Sequence, residues 1–361
     1  MAIDKVTSAA LETSTNQPNF RNIIINGDMS IAQRATSKSS LSTGFNTIDR
    51  FEILKSNDAA FTESQSTDVP TGQGFANSWK IECTTADTSL DASNYLNWRQ
   101  PIEAQNLQYL KFGTSSAESI TLSFWVKSTK TGTYIVSLRN MDNSRLNAQS
   151  YTISSSATWE KKTITFDGDT SSGFNNDNGE GLRVQFSLLA GTNYTSGTLQ
   201  TTWGTYAAAN SAVGQVNFGD STSNEWYVTG VQLEAGTSAS DFEFLPVDVN
   251  LKRCQRYFQM YVEGGNTSSK IPIALTAYGS NNATGGVPYY AEMRASPSAS
   301  HSNLTCNYGG GTTSITGISY YATAYASGMD ITVTGQSWST GRCVTIQYSA
   351  TGAYMRFDAE L

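Results

Sequence analysis

Ile120-Thr-Leu-Ser-Phe-Trp-Val-Lys127 decides the fold. Ile120, Leu122, Phe124 and Val126 recur every second residue, and Thr121, Ser123, Trp125 and Lys127 fill the positions between them. Alternation of period two puts one set on each face of a β-strand, so this stretch reads as a half-buried strand. Working outward, Tyr134, Val136 and Leu138 repeat the pattern after the turn Thr131-Gly132. Trp159-Glu-Lys-Lys-Thr-Ile-Thr-Phe166 stops at Asp167-Gly168-Asp169, and Leu182, Val184, Phe186 and Leu188 alternate with Arg183, Gln185 and Ser187. Each run is bounded by Gly, Asn or Asp, which tolerate the backbone angles of tight turns. Short strands at close intervals predict a sandwich or barrel.

Two further strings bracket this domain. Asn22-Ile-Ile-Ile-Asn-Gly-Asp-Met29 reads as its opening strand and Trp226-Tyr-Val-Thr-Gly-Val-Gln-Leu-Glu-Ala-Gly236 as its closing one. Ahead of the bracket, residues 1–20 are polar and without hydrophobic period. They read as an arm that orders against a partner, with Ile3, Val6, Leu11 and Phe20 as its apolar contacts. Helical pattern is scarce, and the one candidate is Val249 to Met260, where Leu251, Cys254, Tyr257 and Phe258 recur at helical spacing. Pro246 marks the boundary before it. Beyond it, Ile271–Tyr278, Val287–Met293, Gly317–Tyr325, Met329–Thr334 and Cys343–Tyr348 read as strands of a second β-sandwich. The expected organisation is all-β: an arm over 1–20, a jelly-roll sandwich over 21–245 and a smaller sandwich over 246–361.

Composition agrees with this class. Of 361 residues only 15% are charged, and aromatics reach 11% with seven Trp and eighteen Tyr, which argues against disorder. The net charge of -7 disfavours nucleic acid and anionic membrane as partners. Sixteen basic and 24 acidic residues precede Leu245, and no basic stripe occurs. Met1-Ala-Ile-Asp-Lys-Val-Thr-Ser8 has no apolar core, so no secretory leader is expected, and no run of 18 apolar residues predicts a membrane span. Cys83, Cys254, Cys306 and Cys343 lack metal or redox spacing and read as reduced thiols.

Catalytic patterns are weak. His301 lies in the loop-like Ser296-Pro-Ser-Ala-Ser-His-Ser302 with no acid partner in view. Asp167 and Asp169 form a carboxylate pair of the kind a glycosidase uses, but directly after a strand they read as a turn. Gly309-Gly-Gly311 lacks the lysine of a phosphate loop. The chain is therefore not expected to be an enzyme, and no cofactor is expected. Sugar recognition needs flat aromatic faces beside planar hydrogen-bonding groups. Trp98 with Arg99 and Gln100, and Trp203, are the candidates in the first domain. Tyr289, Tyr290, Tyr321 and Trp338, with Tyr320 and Tyr325, are those in the second. Trp125, Trp159 and Trp226 read as sandwich core.

Several of these strings resemble known families. Asn22–Met29, Thr121–Lys127 and Trp226–Glu234 resemble segments of the carbohydrate-binding jelly rolls related to xylan- and glucan-binding modules. Arg21–Arg34, Asp49-Arg-Phe51, Arg99-Gln-Pro-Ile-Glu103 and Leu251–Phe258 resemble virion proteins of tailed bacteriophages, their surface fibres or spikes. The second resemblance spans roughly residues 1–260. It implies a homotrimeric tail or head fibre on the virion surface, made in the host cytoplasm, with the arm docked on other virion proteins and a domain presented to host-surface glycan. A capsid decoration protein and a non-viral carbohydrate-binding module are the alternatives. Relatives of the sugar-binding group often hold a structural Ca2+ through an Asp of the last strand, where this chain has Gly230. Asn26 and Asp28 remain as oxygen donors, short of the six to eight that calcium prefers.

Overall fold

The computed structural model describes residues 20–262, 270–309 and 311–361. Ile3, Val6 and Leu11 of the expected arm lie outside the described residues, and Phe20, at its end, is exposed. The chain divides into two compact units, the first ending at Asn250 and the second running from Leu251 to Glu360. No helix among the described residues is long and apolar enough to cross a membrane.

The first unit contains strands β1 (Ser37–Lys38), β2 (Glu52–Ser56), β3 (Ala60–Ser66), β4 (Ser78–Thr85), β5 (Tyr95–Glu103) and β6 (Ile120–Ser128). It continues with β7 (Gly132–Asn140), β8 (Arg145–Ile153), β9 (Glu160–Phe166), β10 (Glu180–Ala190), β11 (Gly204–Thr205) and β12 (Glu225–Ala235). They form two six-stranded antiparallel sheets, ordered β1-β3-β4-β12-β6-β9 and β11-β8-β7-β10-β5-β2. This is the jelly-roll sandwich that the alternation predicts. Its core is aromatic and joins the sheets. Trp79 of the first sheet stacks on Trp98 of the second at 5.0 Å, Trp98 stacks on Phe51 at 4.1 Å, and Phe124 meets Phe186 edge-on at 5.0 Å. Such pairs contribute about 0.5–1.5 kcal/mol each beyond the area they bury. Trp226 lies in this core, but Trp125 and Trp159, expected there, are only half-buried. Trp125 shares the outward parity of Ser123 and Lys127, and Trp159 precedes β9 and donates to Asp68 at 3.0 Å. One buried carboxyl, Glu63, accepts from the Trp79 indole at 3.0 Å, and burial pushes its pKa up to about 7.

The bracket is a physical closure, though its first half is not a strand. Asn22–Met29 is irregular, with Asn26 and Met29 at positive φ. Asn26 suits that conformation, and its side chain is fully engaged: the amide donates to Ile31 O at 2.8 Å and the oxygen accepts from Ile31 N at 2.9 Å. The segment pairs instead with β12. Val231 N donates to Gly27 O (2.9 Å), Ile23 N donates to Leu233 O (2.8 Å), and the Asn22 amide donates to Val231 O (3.1 Å). These bonds are available because β12 bulges between Thr229 and Gln232. Gly230 supplies the bulge with φ +62°, and an added Cβ would meet the Phe75 ring at 2.6 Å. Gly230 is therefore the pivot of a bulge. Asp28 is likewise engaged within the chain, accepting from Ser30 (3.0 Å) and Asn250 (3.1 Å). The oxygens of Asn26 and Asp28 are thus spent on hydrogen bonds within the chain, and no group of three His, Cys, Asp or Glu side chains that could hold a metal occurs among the described residues.

A helix spans Val247–Gln255, ending earlier than Met260 because Phe258 already belongs to a strand. The second unit holds β13 (Phe258–Val262), β14 (Lys270–Ala277), β15 (Asn282–Pro288), β16 (Ser298–Ser302) and β17 (Leu304–Asn307). It continues with β18 (Thr312–Ala322), β19 (Ala326–Val333), β20 (Cys343–Tyr348) and β21 (Tyr354–Asp358). The unit is all-β, but its main sheet closes into a barrel, β14-β15-β19-β18-β17-β20, beside a three-stranded sheet β13-β21-β16. A sandwich was expected. Inward alternation is the same in both, and only the pairing of β14 with β20 distinguishes them. His301 lies in β16, opposite Met355, and not in a loop.

Candidate functional site

The outer face of the sheet β11-β8-β7-β10-β5-β2 carries the concentration of polar and aromatic side chains that a ligand would meet. Strand β10 sends Leu182, Val184, Phe186 and Leu188 into the core, so Arg183, Gln185 and Ser187 face out. Register then fixes their neighbours. Gln185 stands opposite Arg99 of β5 and Ser137 of β7, Ser187 opposite Asn97 and Ile135, and Arg183 opposite Pro101 and Arg139. On the far side of β5, Glu52 of β2 faces Arg99 and Leu54 faces Asn97. The result is a polar floor of near-parallel rows.

A long connection, residues 191–217, lies across the β7–β8 side of that floor. Ala148 N donates to Gln200 O at 2.7 Å, Val216 N to Thr133 O at 3.0 Å, and Ile135 N to the Gln215 side chain at 2.8 Å. Leu199 and Tyr206 seat this connection on a small apolar cluster of Ile135, Leu146 and Ala148. Together the floor and the connection enclose a cleft of about 180 Å3. Asn97, Arg139, Gln185 and Ser187 form its base, and Leu54, Tyr95, Tyr194 and Tyr206 its walls. Tyr194 packs edge-on against Tyr95 at 5.7 Å, and the Arg139 guanidinium lies 3.8 Å over the Tyr206 ring. The cleft is smaller than the ~300–1,000 Å3 of drug-sized pockets, a size for one ring rather than a whole oligosaccharide.

The electrostatics are uneven. Arg99 is paired with Glu52 at 2.6 Å, and Arg183 holds Glu180 through two bonds of 2.7 and 2.6 Å. The Arg139 side chain has neither an ion pair nor a hydrogen bond among the described residues, and its Nε is buried. Burial is the largest influence on its pKa and lowers it. Asn97 and Ser187 bond each other at 3.0 Å. Among the described residues the lining contains amides, hydroxyls, phenols and one guanidinium, and no carboxylate, histidine or thiol. Such a set can grip a polyhydroxylated ring, and it lacks the two carboxyls that glycoside hydrolysis uses.

Of the residues singled out from the sequence, Arg99 alone stands on this face. Trp98 is 1% exposed and Gln100 is equally buried, because alternation turns both inward. The Gln100 amide instead bridges Ile25, donating to its O and accepting from its N at 2.8 Å each. Trp203 is half-buried against Phe112, with its indole donating to Asp167 O at 2.6 Å. Asp169 is buried and ion-paired with Arg145. In the second unit Trp338 belongs to the barrel core, so it too is inaccessible. Tyr289 packs against Phe357, Tyr290 lies exposed beside Tyr261, and Tyr321 is 62% exposed with its hydroxyl on Asp330 at 3.3 Å. Sequence reading missed Tyr95, Asn97, Arg139, Gln185, Ser187, Tyr194 and Tyr206. The outward parity of Gln185 and Ser187 was a usable signal, whereas Tyr194 and Tyr206 sit in an aperiodic connection that offers none.

No family model and no curated protein matches the chain. Solved structures similar to it include the enzymatically active domain of tailspike protein 4 from bacteriophage CBA120, at 11% identity over 60% of this chain with a TM-score of 0.33. The chain spans 21% of the length of that domain. Others are a CBM4 structure (15% identity, 58% of this chain and 97% of that one, TM-score 0.29) and a family 11 carbohydrate-binding module from Clostridium thermocellum in complex with a β-1,3-1,4-mixed-linked tetrasaccharide. For the last, identity is 13%, coverage 56% of this chain and 98% of that one, and the TM-score 0.28.

Proposed function

We propose that the first unit binds a saccharide, without catalysis, in the cleft on the outer face of β5, β10 and β7. The observation that carries this reading is the floor of Asn97, Gln185 and Ser187 set between the rings of Tyr95, Tyr194 and Tyr206. Planar amides and a hydroxyl match ring hydroxyls, and phenol faces cover the apolar side of a pyranose. Tyr194→Ala should weaken binding to glycans selected on an array by about tenfold, the scale of losing one well-packed contact. The full chain should retain its fold by circular dichroism. Unchanged affinity in that variant would remove the cleft from consideration.

We further propose that this unit is displayed on the surface of a tailed phage particle, as a trimeric tail or head fibre whose first twenty residues dock on other virion proteins. The support is the resemblance of Arg21–Arg34, Asp49–Phe51, Arg99–Glu103 and Leu251–Phe258 to phage surface proteins. The tyrosines exposed on the second unit (Tyr278, Tyr290, Tyr321 and Tyr325) fit a contact surface there. Gold-labelled antibody on purified particles should decorate fibres. Labelling spread evenly over the head would favour a decoration protein, and particles free of label would leave a non-viral binding module.

A further inference from the structure

Three arginines stand on the outer face of this sheet, and two of them are neutralised. Arg99 has Glu52 and Arg183 has Glu180, each partner within 2.7 Å. Arg139 stands directly opposite Arg183 in the register of β7 and β10. Two like charges in that relation repel, and a third carboxylate beside Arg139 would relieve it. Among the described residues none forms an ion pair with it, and the one carboxylate whose charge it feels, Glu180, is bonded to Arg183. The guanidinium carbon lies 3.8 Å from the centre of the Tyr206 ring, with its Nε buried and unbonded. Gln185, one diagonal step away on β10, likewise has a side chain with no hydrogen bond among the described residues. A fixed planar cation beside an open amide, at the base of a cleft walled by tyrosines, is a receptor for a planar anion on a polar ring.

We infer that the saccharide bound in this cleft carries a carboxylate, as a uronic-acid ring does, and that Arg139 receives it. The inference rests on the cleft being a saccharide site. One uncompensated guanidinium matches one carboxylate. A phosphate or a densely sulfated chain brings more negative charge than one cation offsets. The overall charge of -7 does not oppose this, since only charges within about a Debye length of the cleft act strongly at physiological salt. Around the cleft Arg99, Arg139 and Arg183 stand with Glu52 and Glu180, an excess of one positive charge, and Arg139 is the charged group in the lining itself.

The test uses the full chain and matched pairs of uronic-acid oligosaccharides, each as the free acid and as the methyl ester, with a densely sulfated oligosaccharide that lacks uronic acid alongside. Calorimetry should show the acid bound roughly 10- to 100-fold more tightly than the ester, the scale of a charge-assisted hydrogen bond. Arg139→Gln should erase the preference for acid over ester, whatever it does to the affinity for each, and Arg139→Lys, which keeps charge but loses the planar fork, should restore part of that preference. Equal binding of acid and ester by the wild type, with Tyr194→Ala weakening both, would overturn the carboxylate and leave the cleft standing. Equal binding of the sulfated chain would also overturn it. Binding of any saccharide that Tyr194→Ala leaves untouched would instead refute the cleft itself.

Discussion

Gly27→Ala is expected to destabilise the first unit by about 3–5 kcal/mol, the sum of an overpacked contact and two or three lost hydrogen bonds. A Cβ on Gly27 would stand 2.0 Å from the carbonyl oxygen of Val231. That oxygen belongs to backbone and accepts from the Asn22 amide, while Val231 N donates to Gly27 O. Nothing there can rotate aside, so the segment must lift off β12. In a domain of this size the melting midpoint should fall by roughly 10 °C. Gly286→Ala is the control, because its Cβ would meet open space. Urea unfolding of both variants checks the claim, and a loss below about 1 kcal/mol for Gly27→Ala would mean that the bracket does not hold the domain shut.

Trp98→Ala should cost about 3–5 kcal/mol as well, through the cavity left by a large aromatic. Its ring lies between Phe51 and Trp79 and also contacts Phe186 and Trp226. Read from the sequence, Trp98 beside Arg99 and Gln100 is a sugar-stacking candidate. The structure makes the opposite prediction: the variant loses stability, and under conditions where it is folded it keeps its saccharide affinity. A variant of normal stability that no longer binds sugar would place the ring outside the core.

Much of the sandwich was legible because strand geometry is local. A residue two places along returns to the same face, so Leu182, Val184, Phe186 and Leu188 had to point together, and Arg183, Gln185 and Ser187 the other way. The same rule, applied strictly, turns Trp98 and Gln100 inward and Trp125 outward. Those misreadings came from weighing residue type above parity. The C-terminal unit shows a different limit. Its strands alternate as a sandwich would, and closure depends on β14 meeting β20, a pairing across about seventy residues that no short-range pattern encodes.

The sequence by itself determined the all-β class, the strands β6, β7, β9, β10, β12, β14, β18, β19 and β20, and the two faces of β6 and β10, since these follow from a two-residue repeat and from turn-forming residues. Tertiary structure decided what the chain can hold. The cleft exists because the 191–217 connection crosses the polar face of one sheet, bringing Tyr194 and Tyr206 over Asn97, Arg139 and Gln185. It also decided that Asn22–Gly27 and Val231–Leu233, some two hundred residues apart, share one set of hydrogen bonds. Both are contacts between distant segments, set by packing free energy summed over the whole domain, and that sum is not written in any local stretch of residues.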